Sequence, residues 1–115
     1  MNAGSRACVA YIAGALCGAN SSYVYDYSQS KYISISGSVD PGSVNIYDYD
    51  RGCHVSGSPR SLYDYGNSAH IQLNINGSQF TGYDYHSGNH FSANVNGNAV
   101  SIYDYETSSY FNYSV

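Results

Sequence analysis

The chain has 115 residues, a length for one domain, and only 10 % of them are charged. Lys and Arg total 4 against 8 acids, for a net charge of -4, which excludes the basic footprint of a nucleic-acid-binding protein. Tyr is over-represented at 15 residues, and with the supply of Val and Ile it argues against disorder.

Ala7 to Leu16 (ACVAYIAGAL) is the one apolar stretch. It is too short to span a bilayer as a helix. As an export signal it carries a single cation, Arg6, and is interrupted by Tyr11 and Gly14. It is therefore read as the first structural element, with residues 1–22 as an irregular first coil or cap. Cys8 to Ala13 is taken as a strand, although Cys8, Ile12 and Leu16 also sit at helical spacing. Without an export signal the default location is the cytoplasm, and the cell surface or exterior if the chain forms fibres. Cys8, Cys17 and Cys53 are odd in number and form no CxxC motif, so they read as buried small apolar side chains, with a Cys8–Cys17 pairing left open.

From residue 23 onward the chain repeats. Tyr-Asp-Tyr occurs at 25–27, 47–49, 63–65, 83–85 and 103–105, at intervals of 22, 16, 20 and 20 residues. Counting from the first Tyr of each triplet, offset 8 reads Ile33, Val55, Ile71, Phe91 and Phe111, and its neighbour, offset 9, reads Ser34, Ser56, Gln72, Ser92 and Asn112. Before the next triplet Val44, Arg60, Phe80 and Val100, apolar but for Arg60, alternate with Asn45, Ser61, Thr81 and Ser101. Period-two alternation in two runs per repeat predicts two half-buried strands per repeat. Turns fall at Asp40-Pro41-Gly42, Asn76-Gly77 and Asn96-Gly97, and in the four residues after each triplet.

Two all-β topologies satisfy this pattern. A parallel two-sheet β-solenoid of about five 20-residue coils over residues 23–115 stacks like residues on like, as ladders of Tyr, Ser and Asn do. An antiparallel β-meander of hairpins, or a small barrel, is the alternative. Column identity favours the solenoid.

Continued past the second strand, the alternation turns both triplet Tyr outward and the Asp inward. The Tyr columns are Tyr25, Tyr47, Tyr63, Tyr83 and Tyr103, and Tyr27, Tyr49, Tyr65, Tyr85 and Tyr105. Asp26, Asp48, Asp64, Asp84 and Asp104 repel one another unless satisfied, and the turn N–H groups just after them are the simplest partners. Offset 7 reads Tyr32, His54, His70, His90 and Tyr110. In stacked coils the three His are candidate transition-metal ligands, and an aromatic outer ladder explains them equally well. No cofactor motif and no catalytic triad stands out, and the chain is read as no enzyme.

The run from Arg6 to Tyr27 and the recurring Tyr-Asp-Tyr triplets resemble a group of short bacterial proteins with tyrosine-rich repeats. The resemblance implies a bacterial origin and a repeat fold, and it carries no activity.

The leading functional expectation is a structural, self-assembling protein. Open coil ends, formed by Cys8, Tyr11 and Ile12 at one end and Tyr110, Phe111 and Tyr113 at the other, would stack head to tail into a homopolymeric filament. The alternative is a binding module whose Tyr, Ser and Asn ladders take carbohydrate.

Overall fold

The computed structural model describes residues 1–115. A single helix, α1 (Ala3–Leu16), precedes ten strands: β1 (Tyr23–Asp26), β2 (Lys31–Asp40), β3 (Ser43–Asp48), β4 (Cys53–Ser58), β5 (Ser61–Asp64), β6 (Ala69–Asn76), β7 (Gln79–Asp84), β8 (Asn89–Asn96), β9 (Ala99–Asp104) and β10 (Ser109–Ser114). Every neighbouring pair is antiparallel, and β1 pairs with β10 to close a ten-stranded barrel.

The parallel solenoid is thus overturned. Each repeat is one hairpin of the wall, not one coil of a stack, and the antiparallel alternative lies nearer. The reading of Cys8 to Ala13 as a strand is overturned as well, because that run lies within α1.

The hairpins follow from the turn chemistry. At Asn76-Gly77-Ser78-Gln79 and Asn96-Gly97-Asn98-Ala99 the two-residue loop opens with a glycine at φ 62° and 60°, the II′ pattern that matches strand twist. At the other end a four-residue loop follows each Asp, and its last residue takes a positive φ in all five, from Ser30 to Ser108.

Helix α1 runs through the lumen. Ten consecutive residues, Ser5 to Gly14, are buried, so the helix has no solvent face. At roughly 1.5 Å per residue it is about 21 Å long, matching a body of 30 × 28 × 26 Å. Small residues make it slim. Any Cβ on Gly4 would lie 2.3 Å from Arg51 Cδ, and one on Gly14 2.6 Å from Val115 Cγ2. The Asn2 side chain caps the N-terminus by accepting from the Ser5 N–H at 2.9 Å. The other end closes as a Schellman motif, with Ala19 N–H donating to Gly14 O and Gly18 N–H to Ala15 O, both at 3.0 Å. Around the helix the inward residues of the wall, among them Ile33, Ile46, Leu62, Ile71, Phe91 and Ile102, complete one apolar core.

Candidate functional site

All five Asp lie at one end of the barrel, because the odd-numbered strands run the same way and each ends on its Asp. They face inward and are at most 1 % exposed. Each accepts the N–H two residues on, from Ser28, Asp50, Gly66, His86 or Glu106, at 2.9 to 3.1 Å. The Asx turn therefore fixes both the loop and the carboxylate.

In four of the five repeats the second carboxylate oxygen is satisfied, each time differently; Asp84 Oδ2 has no partner in the protein. Gln29 Nε2 donates to Asp26 at 2.6 Å. Arg51 spans two repeats, donating from Nε to Asp48 at 2.7 Å and from Nη1 to Asp64 at 3.1 Å. Burial alone would lower the Arg51 guanidinium, but the two carboxylates outweigh it and hold it above its ordinary value. Asp64 also accepts from Ser5 Oγ at 2.6 Å. Asp104 takes the Met1 α-amine at 3.0 Å and Arg6 Nη1 at 3.3 Å, and the α-amine also reaches Glu106. The rim thus clamps the start of α1 inside the barrel.

Two buried groups here make stability fall in alkali. Burial, reinforced by the charge of Asp26, pushes the Tyr113 phenol well above its ordinary 10.0. Burial and the Asp48 carboxylate likewise raise the Cys8 thiol above 9.0. The folded chain keeps these protons where the unfolded chain would release them, so the stability is fully present below the ordinary values and is lost as pH rises past them. The slope for one such group is about 1.4 kcal/mol per pH unit. Urea unfolding between pH 8 and 11 is expected to show this decline, and Cys8→Ala should delay its onset. A flat profile would contradict the burial of both groups.

Outside the same end runs an aromatic belt. The second Tyr of each triplet is 55 to 61 % exposed, and its ring stands edge-on to the half-buried first Tyr at 4.7 to 4.9 Å. The first Tyr also meets the offset-7 ring, Tyr47 with His54, Tyr63 with His70, Tyr83 with His90, Tyr25 with Tyr32 and Tyr103 with Tyr110, all at 4.6 to 4.9 Å. Edge-to-face pairs of this kind contribute about 0.5–1.5 kcal/mol each beyond their area.

These rings wall a recurring cleft. One, of about 450 Å³, is lined by Arg60, Ser61, Ser68, His70, Gln72 and Tyr85. Its counterpart one repeat on, of about 380 Å³, is lined by Thr81, Gly88, His90, Ser92 and Tyr105. In both, the second Tyr donates its N–H to the carbonyl of the His on the facing strand, and Tyr65 repeats this with His54. Tyr49 and Tyr27 instead donate to Ser34 and Asn112, a register slid by two residues. The three repeats carrying His are thus equivalent, and the two carrying Tyr32 and Tyr110 differ. His70 Nδ1 donates to Leu62 O at 3.2 Å, which leaves its Nε2 as an acceptor.

The metal reading of the His column falls with the solenoid. His54, His70 and His90 stand on alternate strands, about 10 Å apart by strand spacing, each against its own Tyr. No three His, Cys, Asp or Glu are grouped to hold a metal ion. Of the residues assigned to stacking ends, Cys8, Tyr11 and Ile12 are buried in α1, Tyr113 is buried in the wall, Phe111 is half-buried under Arg6, and Tyr110 is exposed. All three cysteines are free. Arg51 escaped the sequence reading and Arg6 was noted there only as a lone cation, with no role at the rim, although each stands alone in a stretch rich in acids or small residues.

The chain is therefore a closed, helix-filled antiparallel barrel with fivefold internal repetition and an aromatic belt at one end. No family model, no curated protein and no solved structure matches it. No helix is long and apolar enough to cross a membrane.

Proposed function

We propose that the barrel is a multivalent binding module for polyhydroxylated ligands, carbohydrate above all. The observation that carries this reading is the cleft repeated around the belt, with an exposed Tyr face on one side and hydroxyl, amide and imidazole groups on the other. Ring faces stack on the apolar face of a sugar, while Ser, Gln and His meet its hydroxyls. Clefts this open bind weakly one at a time, and repetition on a rigid wall raises the overall affinity through avidity. A filament built on open coil edges has no such support, since β1 pairs with β10 and the wall is continuous.

A glycan array, followed by titration calorimetry on the glycan retained, tests the reading. The triple change Tyr65→Ala, Tyr85→Ala, Tyr105→Ala is expected to weaken binding at least tenfold while the barrel stays folded. Retention of no glycan by the wild type, or equal binding by the triple variant, would sink the proposal.

A further inference from the structure

The five rim carboxylates are near-copies, so each serves as a control for the others. In three repeats the third loop residue reaches back to its own Asp: Gln29 to Asp26 at 2.6 Å, Arg51 to Asp48 at 2.7 Å and Asn67 to Asp64 at 3.4 Å. Thr107 is too short to do so, but Asp104 takes the Met1 α-amine and Arg6 instead. In the fourth repeat the residue is Ser87, also too short, and no cation of the chain substitutes. Asp84 is 1 % exposed and its carboxylate has one hydrogen bond, from the His86 N–H to Oδ1 at 3.1 Å. Its Oδ2 and the Ser87 Oγ are the only buried side-chain oxygens or nitrogens of the chain without a partner in the protein.

We propose that Asp84 and Ser87 form a binding site for a small monovalent cation, an alkali or ammonium ion. A buried carboxylate needs a counter-charge or several donors, as its four sisters show. One carboxylate and one hydroxyl match a single positive charge, and Asp84 belongs to no cluster of three His, Cys, Asp or Glu of the kind that holds a divalent ion. Cover over the site is thin, since His86 and Gly88 are exposed and Ser87 is half-buried, which gives a small ion a way in. The ion would do for the fourth repeat what Arg51 does for the second and third.

The test is thermal unfolding of the full chain in NaCl, KCl or NH4Cl against tetramethylammonium chloride at equal ionic strength, the last ion being too large to enter. At least one small ion is expected to raise the Tm saturably by several degrees over tetramethylammonium. Ser87→Gln, which copies Gln29, should abolish the increment and raise the Tm in tetramethylammonium. Asp84→Asn, which removes the stranded charge itself, should abolish the increment as well. Equal Tm values in all four salts, as a bridging water or a neutral carboxyl would give, overturn the proposal. So does a full increment retained by either variant.

Discussion

Residues 21–115 without the segment before them are expected not to fold cooperatively. Eight of the twenty-five residues in the core cluster come from that segment, from Met1 to Ala13. Val9, Tyr11 and Ile12 are 1 %, 7 % and 0 % exposed. Burying three such side chains contributes about 1.5–3 kcal/mol each, a sum comparable with the entire stability of a small domain, about 5–15 kcal/mol. Deletion also strips Asp64 of Ser5 and Asp104 of Arg6 and the α-amine. Far-UV circular dichroism and a thermal melt decide the matter. A truncated chain melting cooperatively within a few degrees of the full one would show that the wall stands without its filling. Ile12→Ala is the milder version, expected to cost about 2–5 kcal/mol, since the closed wall limits collapse onto the gap.

The repeat was legible in the sequence down to its strands and turns, and its pairing was not. The alternation that put Ile33, Ile71 and Ile102 inside and Ser34, Gln72 and Ser101 outside holds in the wall. Like residues at like offsets were taken as a sign of direct contact, and here the inference failed. In a barrel of five hairpins the same offset returns at the same height on every second strand, so it meets the same layer of the core without touching its counterpart. His54, His70 and His90 show this directly, each apart from the others and each against its own Tyr. Even the slide at Tyr27 and Tyr49 was foreshadowed by Tyr32 and Tyr110, where the His column changes type. Helix α1 was hidden for a different reason. Buried on every side, it carries no amphipathic stripe, and its Ala, Gly and Cys residues suit a crowded lumen more than they announce a helix. The signals that could have found it were Asn2 and Gly18, one at each cap.

Arg51→Met is the single substitution expected to damage the rim most. Arg51 is the one side chain that bridges two of the buried rim carboxylates, with Nε on Asp48 and Nη1 on Asp64, and its side chain is 17 % exposed. The carboxylates it serves are 0 % and 1 % exposed, so water does not replace it readily. Removing one partner of a buried ion pair while the other stays costs about 3–5 kcal/mol, and here two anions would remain. Gly4 on α1 leaves the space through which the guanidinium stem passes, and Arg51 Nη2 donates to Cys8 Sγ at 3.4 Å, so the helix and the rim loosen together. Arg51→Lys should recover little, because a single ammonium lacks the planar fork that spans both carboxylates. Adding Asp48→Asn and Asp64→Asn to Arg51→Met should restore much of the loss by removing the stranded charges. Urea unfolding of the four proteins distinguishes the possibilities. A loss under about 1 kcal/mol for Arg51→Met would place these pairs with ordinary solvent-screened surface bridges. A triple variant no better than Arg51→Met would mean that the lost packing of the Arg51 stem against α1, rather than the uncompensated charge, sets the cost.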